Sequence, residues 1–456
     1  MPYGYLYSIL LFCSCMISCS DDITTPVLDD DIMQGGTTTV IGDYITIFQQ
    51  PAANLTPDEV TLHFASDAAF GDIFVTSPAT NNYGLGPLFN QNSCESCHLG
   101  NGRSPFPTDP SQLKGLLLRI SVPGENQYGG PLGVPGFGGQ LQTKSVFGQP
   151  READITWEEI KSIEQYVDGN AIELRRFHFQ MINPYMSVPA DLMISPRIAP
   201  PVIGLGLLEA IAEKDIRNLA DPDDNNRDGI SGKINYVWDF IHHRETIGRF
   251  GWKASQPSLM QQSAAAYHND MGITSPIFSS ESCEGQVQCD SLVDDPEIDM
   301  NTLTSAAFYP QSLAVPARRN AANEKVRNGK ILFNAIGCAS CHHPSYTTGT
   351  HPEFDFLSNQ TIYPYTDLLL HDMGEGLADH RPDFKADGNE WRTPPLWGIG
   401  LTYTVGGHQN FLHDGRARNL EEAIMWHGGE GQASKETFRN LTKEEREDVI
   451  AFLESL

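Results

Sequence analysis

The chain has 456 residues, with 30 Lys and Arg against 58 Asp and Glu, a formal net charge of −28. A surface that acidic repels phosphate backbones and argues against nucleic-acid binding. Its 40% apolar content excludes wholesale disorder, and its length suggests two or three domains of roughly 150 residues each. No apolar run of about 20 residues follows the start, so no spanning helix is expected in the mature protein. The nine cysteines are more informative: Cys13, Cys15 and Cys19 lie near the start, and the rest form the close pairs Cys94/Cys97, Cys283/Cys289 and Cys338/Cys341.

Tyr7 to Ile17 is a short apolar stretch suited to a signal-peptide h-region, and residues 1–18 are expected to be removed on export. It ends in Met16-Ile17-Ser18-Cys19, which resembles a bacterial lipobox and makes Cys19 the candidate lipidation site. An ordinary cleaved signal is the alternative. Either way the expected location is outside the cytoplasm, in the periplasm or on an outer membrane through the lipid, where disulfides persist. Residues 19–50 then read as a flexible, acidic tether.

A first haem-sized unit is expected over 51–313. Within it Leu116 to Val122 reads as a strand, Tyr128 to Gly139 as a Gly-rich loop, and Thr156-Trp157-Glu158-Glu159 as a capping box that starts a helix. From Ser195 a turn leads into an apolar helix. Asp224-x-Asn226-x-Asp228-Gly229 spaces oxygen ligands like a calcium loop without its closing Glu; a plain Asx turn fits the same residues. Cys283 and Cys289 flank a polar loop and, in an exported chain, read as a local structural disulfide. A second unit is expected over 314–456. Thr442-Lys-Glu-Glu445 caps its last helix, in which Val449, Ile450, Leu453 and Leu456 share a face.

Two segments share one grammar, Cys94-Glu-Ser-Cys97-His98 and Cys338-Ala-Ser-Cys341-His342. Cysteines three apart on a helical turn can add to the two vinyl groups of one haem and leave the adjacent histidine under the iron. The reading is two covalent c-type haems, with His98 and His342 as proximal ligands. Zinc would want its cysteine pairs closer and needs no His after each.

The segments GLGPLFNQNSCESCH (Gly84 to His98), SPRIAPPVIGLGLLEAI (from Ser195), GRFGWKASQPSLMQQ (from Gly248), IYPYTDLLLHDMGEGLAD (from Ile362) and Trp391 to Gly429 resemble the bacterial di-haem oxidoreductase family, labelled peroxidase or thiol oxidoreductase. It is related to the di-haem cytochrome c peroxidases and to the di-haem enzyme that matures methylamine dehydrogenase. The resemblance implies a mainly α fold of two cytochrome c-like helical domains, the first with large loop and β-containing insertions. It also implies peroxidase-type chemistry on a small substrate such as hydrogen peroxide, with an extracytoplasmic electron donor or acceptor protein.

Laid on the family pattern, His427 falls where the peroxidases carry a distal methionine, which would give the C-terminal haem two histidines and a lower potential. A surface or core role is the alternative for His427, and His371 is the second candidate ligand. No histidine falls near Ala190, where the peroxidases carry a displaceable ligand, so the N-terminal iron is expected to be open, with His178, Met193 and His242 as the nearest other ligands. Trp252, Leu259 and Gln262 keep the superfamily's spacing. The resemblance places Trp252 between the haems, Gln262 in the distal pocket and Asp270 as the proton-handling carboxyl. Core, surface and cap roles are their alternatives. A pure electron carrier with two six-coordinate haems and a thiol oxidoreductase are the competing functions.

Overall fold

The structure, a computed structural model, describes residue 1 and residues 30–290, 292 and 294–456. The signal segment and Cys13, Cys15 and Cys19 lie outside those residues. None of the described helices is long and apolar enough to cross a membrane.

The fold is 28% helix and 18% strand, which corrects the mainly α expectation. Its sheets are small, and the largest single departure is the segment from Thr156. In place of a capped helix, Asp154–Gln165 pairs in register with Ala171–Ile182 as a long antiparallel hairpin. The physical reason is legible afterwards. Asp168-Gly169 is a strong hairpin-turn dipeptide, and Gly169 takes φ +87°. On either side Ile155, Trp157, Phe177 and Phe179 recur at period two, so one face of the ribbon packs with Phe106, whose ring stacks on Phe177 at 4.0 Å. A local capping signal loses to that long-range pairing.

The strand Leu116–Glu125 forms where expected and pairs with Met193–Ile198, so the segment read as a turn opens as a strand. The following apolar helix is short, Leu205–Glu209. The stretch expected as a tether is packed from Asp31 onward. Asp31 is buried against Arg318 and Lys330, and Ile47 and Phe48 enter the largest core cluster. That cluster draws on residues from both sides of position 313, including Ile203, Leu207, Phe308, Phe356 and Trp397.

In the C-terminal part, Glu324–Ala335 crosses the terminal helix Lys443–Ser455. A Cβ on Gly329 would meet the Asp448 carbonyl oxygen at 1.8 Å, so only glycine lets the two backbones touch there. The terminal helix begins at the expected box: Glu445 N–H donates to Thr442 Oγ1, and Thr442 N–H to the Glu445 carboxylate. Val449, Phe452, Leu453 and Leu456 are buried.

Between these parts lies a dense ionic seam. The fully buried Lys253 ammonium donates to Asp379 at 2.8 Å and to the carbonyls of Arg381 and Asp387 at 2.8 and 2.7 Å. Arg197 and Arg381 pair with Asp383 beside it. Lys253→Met strands the Asp379 charge, so we expect a loss of about 3–5 kcal/mol in chemical unfolding of the holoprotein. A loss below about 1 kcal/mol, the scale of an exposed pair, would contradict this view of the seam.

Candidate haem sites and the path between them

The first Cys-x-x-Cys-His turn is a helical turn closed by Cys97 N–H and His98 N–H donating to the Cys94 carbonyl. His98 Nδ1–H donates to the Pro200 carbonyl at 2.8 Å. That fixes the tautomer and leaves Nε2 with a free lone pair. Burial pushes the His98 pKa down to about 4, so the imidazole is neutral at neutral pH and fit to ligate iron.

The loop before this turn is threaded against the segment that carries Asp270. Gly86 and Gly272 touch backbone to backbone: a Cβ on Gly86 would meet the Gly272 carbonyl oxygen at 2.4 Å. Gly86 N–H donates to Met271 O, and the Asn90 and Gln91 N–H groups to Asp270 O. Asp270 itself sits in the π-helical turn Tyr267–Met271 that ends the helix Leu259–Ala266. Burial raises its pKa, opposed by the Arg119 charge and by Gln140. Burial, and then the nearby Asp270 carboxylate, pushes the Cys94 thiol up to about 12 and Cys97 in the same direction. Asp270 therefore acts electrostatically on both Cys94 and Cys97.

The partner that sequence reasoning missed is Gln140, whose amide donates to Asp270 Oδ1 at 2.7 Å and to the Asn269 carbonyl at 2.8 Å. Gln142 donates to that same carbonyl at 2.7 Å. The alternation Gln140-Leu141-Gln142 was the available signal, because it puts both amides on one face. Arg119, bridged to Gln140 across the strands, was not foreseen either. Gln262 lies on the helix Leu259–Ala266, half-buried, with no side-chain hydrogen bond among the described residues and none to Asp270. Its neighbour Gln261 is buried and bonds Trp238, Phe240 and Gln256.

Of the other ligands considered for this site, His178 is exposed on the hairpin. His242 bonds Asp239 at 2.7 Å, and Met193 pairs in the strand opposite Ser121. His268, near Arg119, engages the Ser280 carbonyl at 3.0 Å through Nε2.

The second turn is built alike. His342 Nδ1–H donates to the Tyr365 carbonyl at 2.9 Å, and burial pushes its pKa down to about 4. It opens on a largely apolar cavity enclosing about 1350 Å³ including its mouth, lined by Cys338, Cys341, His342 and His427 with Phe333, Leu396 and Leu420 among its walls. His427 Nδ1–H donates to Ala423 O at 2.8 Å. Its Nε2 is left free, and burial lowers its pKa. The short helix Leu420–Met425 before it is capped by Asn419. The long hairpin braces that helix through Tyr166 to Glu421 at 2.8 Å and Glu173 to Arg418. Met425 is fully buried in the core instead. His371 has both ring nitrogens on carboxylates, Asp367 at 2.8 Å and Glu430 at 2.6 Å, which takes it out of contention as an iron ligand.

These residues fit the haems that the sequence implies. Each site offers two cysteines and a neutral imidazole, and the cavity beside His342 adds a second imidazole and apolar walls. That cavity also holds Arg103, its pKa pushed down to about 10 by burial, with a single hydrogen bond to Leu412 O at 2.9 Å. A buried guanidinium of that kind suits a propionate. His413 Nε2, buried in the same wall, has no hydrogen-bond partner among the described residues.

Trp252 is buried in the wall of the cavity and donates Nε1–H to Ile198 O at 2.8 Å. Two residues further on, Pro200 O accepts from His98. A short bonded route therefore joins the second cavity to His98.

Cys283 and Cys289 are joined as a disulfide, Cα to Cα 5.3 Å. The Asp224, Asn226 and Asp228 loop is exposed, and its side-chain oxygens accept from the backbone N–H groups of Gly229, Asp228 and Ile230 respectively. Such Asx turns account for the spacing without an ion.

Residues 29–456 match the profile of the family described as "Di-haem oxidoreductase, putative peroxidase". Over 170 residues the chain is 27% identical to the cytochrome c551 peroxidase of Nitrosomonas europaea, a stretch that covers 35% of this chain and 45% of that protein. The chain thus spans less than half the length of that relative. Among solved structures, Kuenenia stuttgartiensis hydrazine synthase pressurised with xenon superposes over 90% of this chain and 94% of its own, at 14% identity and a TM-score of 0.35.

Proposed function

The chain belongs to the di-haem oxidoreductase family, and from that premise we propose an exported peroxidase-type enzyme with two covalently attached c-type haems. In this reading residues 51–313 hold the catalytic haem and 314–456 the electron-relaying one. The observation that carries it is the position of Asp270, a carboxyl with raised pKa beside the first pair of attachment cysteines.

When bound, the haems would supply iron centres that exchange single electrons. Cleaving the O–O bond of hydrogen peroxide to two waters consumes two electrons and two protons. Asp270 holds and delivers a proton at the carboxyl oxygen not taken by Gln140, and burial shifts its pKa upward, the direction that role needs. Gln262 is assigned the orientation of the peroxide oxygens. His98 presents a neutral Nε2, and the Pro200 carbonyl keeps that ring from turning. His342 and His427, which line one cavity, would both hold the second haem, and that site would then relay electrons in place of binding substrate. Trp252 and the Ile198 to Pro200 backbone join the two. The electrons come from an extracytoplasmic donor protein. Export is read from the signal segment, with Cys19 as the lipid-bearing residue. Calcium forms no part of this proposal.

A thiol oxidoreductase is disfavoured because the Cys94, Cys97, Cys338 and Cys341 pKa values are all raised and the remaining described pair is a disulfide. Thiolate chemistry needs the opposite shift.

The test is peroxide-dependent oxidation of a reduced c-type donor by the holoprotein. Steady turnover is expected, and its absence with both haems present would favour the electron carrier. Trp252→Phe should leave haem content unchanged and slow electron transfer between the haems in flash or stopped-flow measurements. An unchanged rate would take Trp252 out of the route.

A further inference from the structure

His371 and Glu430 line the C-terminal cavity, and Asp367 backs His371 from behind that wall; the proposed chemistry uses none of the three. His371 and Asp367 are 2% and 3% exposed. His371 Nε2 is 2.8 Å from Asp367 Oδ2, and its Nδ1 is 2.6 Å from Glu430 Oε2. The same Nδ1 lies 3.5 Å from the Cys341 sulfur.

Carboxylate oxygens only accept, so a ring bonded to one at each nitrogen carries a proton on both. Burial pulls against that charge, but Asp367 and the hydrogen bonds raise the His371 pKa well above its ordinary value. Glu430 is itself pinned, accepting from Ser231 N–H at 3.1 Å and from the Ser231 hydroxyl. Asp367 Oδ1 accepts from Leu369 N–H at 2.9 Å. Within this trio two carboxylates around one imidazolium leave one net negative charge beside Cys341, and the buried Arg392 in the same cavity wall is the cation that acts on Asp367.

We propose that Asp367, His371 and Glu430 form a fixed charge cluster that holds the C-terminal haem at low potential. The inference rests on the reading that a haem is attached at Cys338 and Cys341. A buried negative charge stabilises the oxidised, more positive iron over the reduced one. It acts in the same direction as a second histidine ligand. The cluster does not touch substrate; it positions charge, and it also ties the Ser231 loop and the segment after His427 to the haem edge.

Glu430→Gln and Asp367→Asn each remove one negative charge and keep a side chain that can bond His371. In spectroelectrochemical titration of the holoprotein, each should raise the C-terminal midpoint. At the wild-type midpoint the reduced-to-oxidised ratio should rise about tenfold, which is ~59 mV for one electron. The N-terminal haem should move less. A C-terminal midpoint that stays put or falls in both variants overturns the inference. Loss of that haem from both also overturns it, since the cluster is then a structural support. Wild-type protein lacking a haem at Cys338 and Cys341, by pyridine haemochrome and mass, would overturn the functional reading itself.

Discussion

His427→Ala is expected to convert the C-terminal haem from low-spin to high-spin. His427 combines three properties a distal ligand needs: a neutral ring, an Nδ1–H already spent on Ala423 O, and a position in the same cavity as His342. Three neighbouring groups are already engaged elsewhere. Met425 is fully buried among core side chains, His371 is held by two carboxylates, and His413 is stacked on Trp391 with ring centroids 3.7 Å apart. The reduced variant should therefore bind one more equivalent of carbon monoxide per chain than wild type. His427→Met should restore a low-spin haem at higher potential, because thioether ligation raises potential. An unchanged low-spin spectrum in His427→Ala would remove His427 from the coordination sphere.

The second large effect is expected from Asp270→Asn. An amide keeps the size and the bond to Gln140 but cannot take up and return a proton, so peroxide turnover should fall about 10²–10⁴-fold with both haems still attached. Asn should leave the loop contacts intact, since Asn90 and Gln91 bond the Asp270 backbone and not its carboxyl. Gln140→Leu, which frees the carboxyl without removing it, should cost less. Turnover unaffected by Asp270→Asn would move proton transfer to another group. His268 and Arg119 are then the neighbours to test.

The two Cys-x-x-Cys-His turns, the disulfide and the terminal helix were legible because each is written within a few residues: a fixed cysteine spacing, a short loop, a capping box followed by an apolar face. The long hairpin was misread because Thr156 to Glu159 satisfies a local helix-start rule, whereas the competing signal lies a dozen residues on, in Asp168-Gly169 and the alternating Ile172 to Met181. Gln140 carries only the faint alternation with Gln142, and Arg119 and Arg103 carry no motif. They reach the sites through strand pairing and chain crossing that only the fold supplies. The packed stretch from Asp31 was hidden for the same reason, since an acidic run reads as solvated until Arg318 and Lys330, far along the chain, are seen to bury against it.

The central claim is one open iron beside one fully ligated iron. Carbon monoxide titrated into the fully reduced wild-type holoprotein tests it most directly, with binding followed in the Soret band. One equivalent per chain is expected. Zero equivalents, or two, would contradict it.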